Sequence, residues 1–148
     1  MKIEEAIKQP KFRNAQQKAV INLLYTTSWL QSKQQTFFKP FNITAQQFNI
    51  LRILRGQLPA STSATEIKSR MLDKNSDVSR LLDRLVAKGL VSKKICANDK
   101  RSADVLLTEE GVNLLKEIDK KQHQLDSILK LDEEQAKILS DMLDSCRS

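Results

Sequence analysis

Serine and arginine side chains flank a leucine-rich stripe in the middle of the chain. The stripe has apolar residues at positions i, i+3, i+4 and i+7, which predicts an amphipathic helix that begins at Asn75 and ends at Gly89. Five polar residues at its start or on its outer face are candidate contacts: Asn75, Ser76, Ser79, Arg80 and Arg84. Arginine can donate two parallel hydrogen bonds to a guanine edge, and serine can bond to a phosphate or a base edge. The segment therefore has the chemistry to bind nucleic acid. The alternative is a solvated face on which Asp77 and Asp83 neutralise the two arginines.

A second basic cluster follows in residues 90–107, where the apolar pattern changes from helical to strand-like. Residues 90–96 and 103–107 are predicted to be strands, and residues 97–102 the charged turn between them. Six side chains of this hairpin are candidate contacts: Lys93, Lys94, Asp99, Lys100, Arg101 and Ser102. Cations crowded on a short ribbon suit a duplex backbone, because each neutralised phosphate releases counterions. Protection of an exposed strand edge against aggregation is the other explanation.

A long amphipathic helix is predicted near the N-terminus, over residues 12–38. This segment contains neither Gly nor Pro, and apolar residues recur along one face, beginning with Val20, Leu23 and Leu24. At about 1.5 Å per residue the helix is about 40 Å long, which is more than the core of so small a domain needs. Its apolar stripe is therefore expected to meet a partner.

Two shorter helices are predicted before the amphipathic helix, and each begins with a capping-box pattern, at Thr44 or Ser63. A three-residue turn, 72–74, follows the second of them. The order helix, short helix, three-residue turn, helix and hairpin is the layout of a winged helix-turn-helix. Towards the C-terminus we expect one helix over residues 108–128 and another from Asp132. The predicted fold class is mainly α with a minor β component.

Length and charge narrow the range of functions. The chain has 148 residues, of which 40% are hydrophobic, and a formal net charge of +7. Residues 1–39 hold seven basic and two acidic side chains, residues 40–107 hold twelve and six, and residues 108–148 hold six and ten. The basic residues 1–107 and the acidic residues 108–148 suggest that one surface binds a polyanion and that another surface has a different function. No apolar run is long enough to span a bilayer, so we expect a cytoplasmic protein without membrane contact.

Residues for enzymatic or metal chemistry are sparse. The sequence has no Gly-rich phosphate loop, its single histidine is His123, and its two cysteines are Cys96 and Cys146. We therefore expect no enzyme, no cofactor and no metal site. Cys96 lies beside several lysines, which would stabilise a redox-sensing thiolate, but strand alternation equally suits an inward, apolar position for this residue.

Five fragments of the sequence resemble, in this order and spacing, the multiple-antibiotic-resistance regulator (MarR) family of bacterial transcription factors. They are residues 43–48 (ITAQQF), 78–85 (VSRLLDRL), 88–91 (KGLV), 99–102 (DKRS) and 107–111 (LTEEG).

The resemblance implies a homodimer that regulates transcription, as a repressor, from an inverted-repeat operator in double-stranded DNA. It assigns residues 1–40 to an N-terminal dimerisation helix, residues 41–108 to the winged helix-turn-helix DNA-binding domain, and residues 109–148 to C-terminal dimerisation helices. The central helix then enters the major groove and the hairpin, or wing, enters the minor groove. In the family an aspartate of the wing braces the arginine that enters the minor groove, and by position these are Asp99 and Arg101.

The chain departs from the family pattern at two lysines. Lys93 stands where the family usually has arginine, and it can still bind phosphate as a point charge. Lys68 stands where a small residue is usual, so the family pattern does not determine how its helix packs.

Many members of the family release DNA when a small aromatic or phenolic effector binds between the dimer region and the winged helix. Candidate pocket residues here are Tyr25, Trp29, Phe48 and Arg52. Ordinary core and dimer contacts explain the same aromatic residues. Two functional alternatives also remain: a helical module that binds an acidic protein partner without DNA, and a redox-sensing regulator of the same fold that uses Cys96.

Overall fold

The chain forms two compact units, Met1–Ala45 and Gln46–Ser148. The computed structural model describes the backbone of residues 1–96 and 99–148, and the side chains of residues 1–94 and 104–148. The predicted fold class, mainly helical with a small β component, is confirmed. In chain order the elements are α1 (Ile3–Ala6), α2 (Ala15–Phe38), α3 (Ala45–Gln57), β1 (Thr62–Ser63), α4 (Ala64–Arg70), α5 (Val78–Ala87), β2 (Val91–Cys96), β3 (Asp99–Leu107), α6 (Glu109–Asp119), α7 (Gln122–Asp126) and α8 (Glu133–Cys146).

The first unit consists of the long helix α2 and a short N-terminal arm. Helix α2 begins three residues later than predicted, because the side chain of Asn14 accepts a hydrogen bond from the backbone N–H of Gln17 at 2.8 Å and caps the helix. The arm contains α1, which the sequence pattern did not predict. Its Ile3 is buried, and its Glu4 carboxylate accepts from the Lys18 ammonium of α2. This hydrogen bond holds the pKa of the Glu4 carboxyl below its ordinary value of 4.5.

The second unit has one core, to which α3, α4, α5, β3 and α6 contribute. Its fully buried side chains are Ile50, Leu51, Leu54, Ile67, Leu82, Leu85, Val105, Leu115 and Ile118. Helix α3 continues through Gly56 and reaches Gln57.

Strands β1, β3 and β2 form an antiparallel sheet in that order. The sequence predicted a two-stranded hairpin, and the third strand, β1, was missed because a two-residue strand carries no periodic signal. In β1, Thr62 pairs with Val105 and Ser63 with Asp104. Strand β3 begins at Asp99, so residues 99–102, predicted as a turn, belong to the strand. The sheet anchors the wing to the helical core through the buried side chain of Val105.

The C-terminal part of the chain is more broken than predicted. The single helix expected over residues 108–128 is two helices, α6 and α7, because Lys121 leaves the helical conformation (φ −115°, ψ 10°). Helix α8 begins as predicted with a capping box, in which Asp132 and Gln135 bond to each other's backbone N–H groups. Within the described part of the chain, the helices are too short or too polar to cross a membrane.

Candidate nucleic-acid interface

Helix α5 starts at Val78 and not at Asn75 as predicted. Its N-cap is Asp77, whose Oδ1 accepts a hydrogen bond from the backbone N–H of Arg80 at 3.1 Å. Residues 71–77 therefore form a seven-residue turn, where the sequence predicted three. The sequence was ambiguous here because Asn75, Ser76 and Asp77 are all residue types that cap helices.

The two faces of α5 differ sharply in burial. The buried face carries Val78, Leu81, Leu82 and Leu85, as predicted. Ser79, Arg80 and Arg84 are exposed on the other face. Asn75 is exposed too, but it lies in the turn, where its backbone N–H bonds to the Asp73 carboxylate.

The prediction that Ser76 faces solvent is wrong. Ser76 is 4% exposed, and among the described atoms its Oγ has no hydrogen-bond partner. It lies before the first turn of α5, so the helical spacing that predicted an outward direction does not apply to it.

The acids near the two exposed arginines are engaged elsewhere. Asp77 caps α5, and Asp83 Oδ1 lies 3.8 Å from Nζ of Lys93 on β2. Among the side chains that the structure describes, neither Arg80 nor Arg84 forms an ion pair. Among the described residues, the alternative in which Asp77 and Asp83 neutralise these arginines is therefore not observed, and two guanidinium groups face solvent on one helix surface.

The end of α5 fixes where the wing begins. Gly89 has φ +73°, a left-handed conformation that glycine adopts without a steric penalty. The N–H of Leu90 bonds to the carbonyl of Leu85 at 3.0 Å, and the N–H of Gly89 bonds to the carbonyl of Val86 at 2.9 Å. This pair of bonds is a Schellman motif, which ends the helix and turns the chain into β2.

Thr108 joins three elements at the base of the wing. Its Oγ1 donates to the Gly89 carbonyl at 2.6 Å and accepts from the Gly111 N–H at 3.1 Å, and its own N–H donates to the Leu90 carbonyl at 3.1 Å. A Cβ on Gly111 would lie 2.3 Å from the Leu90 carbonyl oxygen, so only glycine fits at this contact. The end of α5, the start of β2 and the start of α6 are thereby locked together.

The wing is described only in part. Lys93 and Lys94 lie on β2, opposite Val105 and Asp104, and the side chain of Lys94 is exposed. The side chains of Asp99, Lys100, Arg101 and Ser102 lie outside the described residues, as does that of the redox candidate Cys96. Their predicted roles remain predictions.

A polar cleft lies beside the start of α5. Its volume is ≈ 420 Å³, and it is lined by Ala64, Thr65, Lys68, Asn75, Ser76, Asp77, Val78 and Ser79. Lys68 is exposed and forms no ion pair with a described side chain. Sequence reasoning noted Lys68 only for its effect on packing, although a lysine directly after the buried Ile67 was a signal of a solvent-facing cation.

The predicted effector residues belong to different units. Tyr25 and Trp29 lie on α2, where with the N-terminal arm they line a groove of ≈ 470 Å³. Nζ of Lys33 lies 5.8 Å from the centre of the Trp29 ring. Phe48 and Arg52 lie on α3, where Phe48 is half-buried and Arg52 is exposed. A pocket formed by all four residues remains a prediction.

The other candidate groups have simple surroundings. Cys146 is exposed at the end of α8, and His123 is exposed on α7. Among the described residues, no group of three or more His, Cys, Asp or Glu side chains is arranged to hold a metal ion.

Comparison with known proteins agrees with this geometry. A model described as "MarR family" matches residues 43–103, which include α4, α5 and most of the sheet. The HTH-type transcriptional regulator PecS of Dickeya dadantii (strain 3937) is 30% identical over 82 residues, which are 55% of this chain and 49% of PecS. The chain thus matches about half the length of this curated relative.

Two solved structures extend the likeness over most of the chain. A MarR transcription factor from Planctomyces limnophilus is 29% identical, with 92% of this chain and 95% of that chain covered and a TM-score of 0.68. A mutant MarR from E. coli, complexed with operator DNA, is 26% identical, with 84% and 91% covered and a TM-score of 0.71. The fold, with its exposed basic helix, is that of a winged helix-turn-helix protein. Residues 43–103 thus match the MarR family model, and both of these solved structures are MarR transcription factors.

Proposed function

We propose that the chain represses transcription by binding an inverted-repeat operator in double-stranded DNA as a homodimer. Helix α5 of each subunit lies in the major groove, and each wing reaches the adjacent minor groove. The observation that carries this proposal is the pair of arginines, Arg80 and Arg84, that face solvent on α5 without an ion pair among the described side chains.

The direct readout of sequence is assigned to Ser79, Arg80 and Arg84. An exposed guanidinium that no carboxylate engages is ready to donate two hydrogen bonds to the N7 and O6 atoms of a guanine. Asp83 supports this arrangement, because its contact with Lys93 keeps its carboxylate away from the arginines. Asp77 and Asp83 thus stabilise the helix start and the contact with β2, and they leave Arg80 and Arg84 available to DNA.

Phosphate contacts are assigned to lysines on both sides of α5. Lys93 and Lys94 lie at the base of the wing, and Lys68 lies on the cleft beside Asn75. Such contacts fix the register of the protein on the duplex but carry no sequence information. For the tip of the wing we propose contacts from Asp99, Lys100, Arg101 and Ser102, with Arg101 in the minor groove, where negative potential concentrates.

The homodimer is proposed from apolar surface that a single chain leaves in water. On α2, Val20 is 55% exposed and Leu24 is 66% exposed, and on α8 Met142 is 61% exposed. Burying these side chains against a second copy stabilises the pair by roughly 25 cal/mol per Å² of apolar surface removed from water. The acidic C-terminal residues then belong to the dimer region and not to the DNA surface.

An effector that releases the DNA is also proposed, as a small aromatic or phenolic molecule. Tyr25 and Trp29 offer ring faces in one groove, and the Lys33 ammonium lies near the Trp29 ring. The rings favour stacking with a planar ligand, and the cation favours an anionic substituent.

The test of the DNA-binding proposal is Arg80→Ala. We expect it to weaken binding to the tightest duplex recovered from a random pool by about 1–3 kcal/mol, and binding to scrambled duplex by less, because a base contact is lost. Affinities measured by fluorescence anisotropy at one salt concentration check this. Arg147→Ala, at the end of α8, is the matched control and should change neither affinity.

Equal losses on both duplexes would make Arg80 a phosphate contact and remove it from sequence readout. No affinity of the wild-type protein for any duplex would favour the other candidate, a module that binds an acidic protein.

A further inference from the structure

Asn49 is a polar side chain on the buried face of α3. It is 5% exposed, and the adjacent residues Ile50 and Leu51 belong to the core. Its Oδ1 accepts a hydrogen bond from the backbone N–H of Leu72 at 2.9 Å, across 23 residues of sequence. Among the described atoms, its Nδ2 has no hydrogen-bond partner. The contact that Asn49 makes through this side chain is therefore with the turn between α4 and α5.

The turn that receives this bond leads into α5. Its first residue, Met71, and the residue that follows it, Val78, are buried and anchor its ends. Between them, the side chain of Leu72 is 81% exposed, so packing does not hold this part of the backbone. The bond from Asn49 ties it to α3.

Bonds within the turn determine its local shape. Asp73 accepts from the N–H of Asn75 through its carboxylate, at 2.9 Å, and from the N–H of Ser76 through its carbonyl, at 3.2 Å. Such bonds do not fix where the turn lies relative to α3. A seven-residue turn has more freedom than a three-residue one, so a link to a rigid helix has a larger effect on its position.

We propose that Asn49 is a positioning residue for sequence recognition, which fixes the α4–α5 turn and through it the approach of Ser79 and Arg80 to the base edges. The inference rests on the proposed DNA-binding function. A buried amide with an unpaired donor opposes folding, and a leucine of similar size would avoid this cost. Because the amide does not favour folding, we assign it a geometric role, which is to fix the position of the turn. Such a role matters for base recognition, which depends on hydrogen-bond donors held within a fraction of an ångström.

The test is Asn49→Leu in the whole chain, which removes the acceptor and keeps the number and branching of the side-chain heavy atoms. We expect affinity for the tightest duplex that the wild-type protein selects from a random pool to fall about tenfold or more, the effect of one good base contact. Affinity for a scrambled duplex of the same length should stay within about twofold, because phosphate contacts do not require exact alignment of α5. Amide hydrogen exchange at Leu72 should become faster.

Two matched variants separate positioning from packing. Leu72→Ala keeps the backbone N–H and removes an exposed side chain, so the ratio of the two affinities should not change. Asn49→Asp keeps an acceptor for the Leu72 N–H and should retain the ratio better than Asn49→Leu does.

An unchanged ratio in Asn49→Leu would overturn the inference, as would equal losses on both duplexes together with a lower melting temperature, which indicate a purely structural role. Failure of the wild-type protein to bind any duplex contradicts the proposed function instead. In that case, unchanged exchange at Leu72 in Asn49→Leu would still show that the amide does not hold the turn.

Discussion

At the scale of single residues, the candidate interface is defined by which charges are already engaged. Asp77 caps α5 and Asp83 contacts Lys93, whereas Arg80 and Arg84 face solvent. Charge composition alone does not separate this arrangement from a self-neutralised helix face, because both have the same residues. The difference depends on which carboxylate each side chain reaches in three dimensions.

The phosphate contacts lead to a prediction about salt. Lys68→Gln and Arg101→Ala should each reduce the slope of log K against log salt by about one unit, because each variant neutralises about one phosphate fewer. Titrations of one duplex at several salt concentrations measure this slope. Lys130→Gln, in the loop before α8, is the control and should leave the slope unchanged. A slope that either variant leaves unaltered would remove that residue from the DNA surface.

Ser76 shows where prediction of single residues fails. Its neighbours Ser79 and Arg80 were correctly predicted to be exposed, because they follow helical spacing from the buried leucines. Ser76 lies before the helix, and its burial depends on how the turn packs against the rest of the second unit. No local pattern reports that packing.

At the scale of elements, helix ends were predicted well where a single residue type determines them. Gly89 ends α5 with a Schellman motif, Thr108 caps α6, and Asp132 begins α8 with a capping box. The predicted start of α5 was wrong because three consecutive residues, Asn75, Ser76 and Asp77, are all types that can cap a helix. The two-residue strand β1 and the break at Lys121 were missed because neither interrupts the apolar periodicity clearly.

The contact between Gly111 and Leu90 gives a prediction about stability. Gly111→Ala should lower the free energy of unfolding by about 1–3 kcal/mol, because the new Cβ overlaps a backbone carbonyl and the start of α6 must shift away from the wing. Gly56→Ala is the matched control. No atom lies within 4 Å of its added Cβ, and it should raise the free energy of unfolding by about 0.5–1 kcal/mol, since alanine favours a helix.

Chemical denaturation of both variants measures these changes. A Gly111→Ala protein as stable as wild type would show that the base of the wing is looser than the contacts of Thr108 indicate.

At the scale of the whole molecule, the long helix α2 leaves an apolar stripe exposed in the single chain. The sequence predicted its apolar stripe and its need for a partner, and Val20, Leu23 and Leu24 are exposed as that prediction requires. The identity of the partner did not follow from the stripe. It comes from the resemblance to the MarR family, and the homodimer remains a proposal for this chain.

A charge placed in the stripe tests the dimer. Leu24→Glu should convert particles of twice the chain mass of 16.9 kDa into particles of that mass, because burying an unpaired carboxylate in the interface is costly. Analytical ultracentrifugation at micromolar concentration measures the change. Thr36→Glu is the control. At about 100° of rotation per residue, Thr36 lies on the side of α2 opposite the apolar stripe, so this variant should leave the particle mass unchanged. A wild-type protein of 16.9 kDa would contradict the proposed assembly.

In the proposed dimer, two copies of α5 are held so that they enter successive major grooves on one side of a duplex. Selection of bound fragments from a random pool of duplex DNA, followed by sequencing, tests it most directly. The account predicts an inverted repeat whose half-sites are centred about 10 base pairs, or roughly 34 Å, apart. Enrichment of a single asymmetric site, or no enrichment at all, would contradict it.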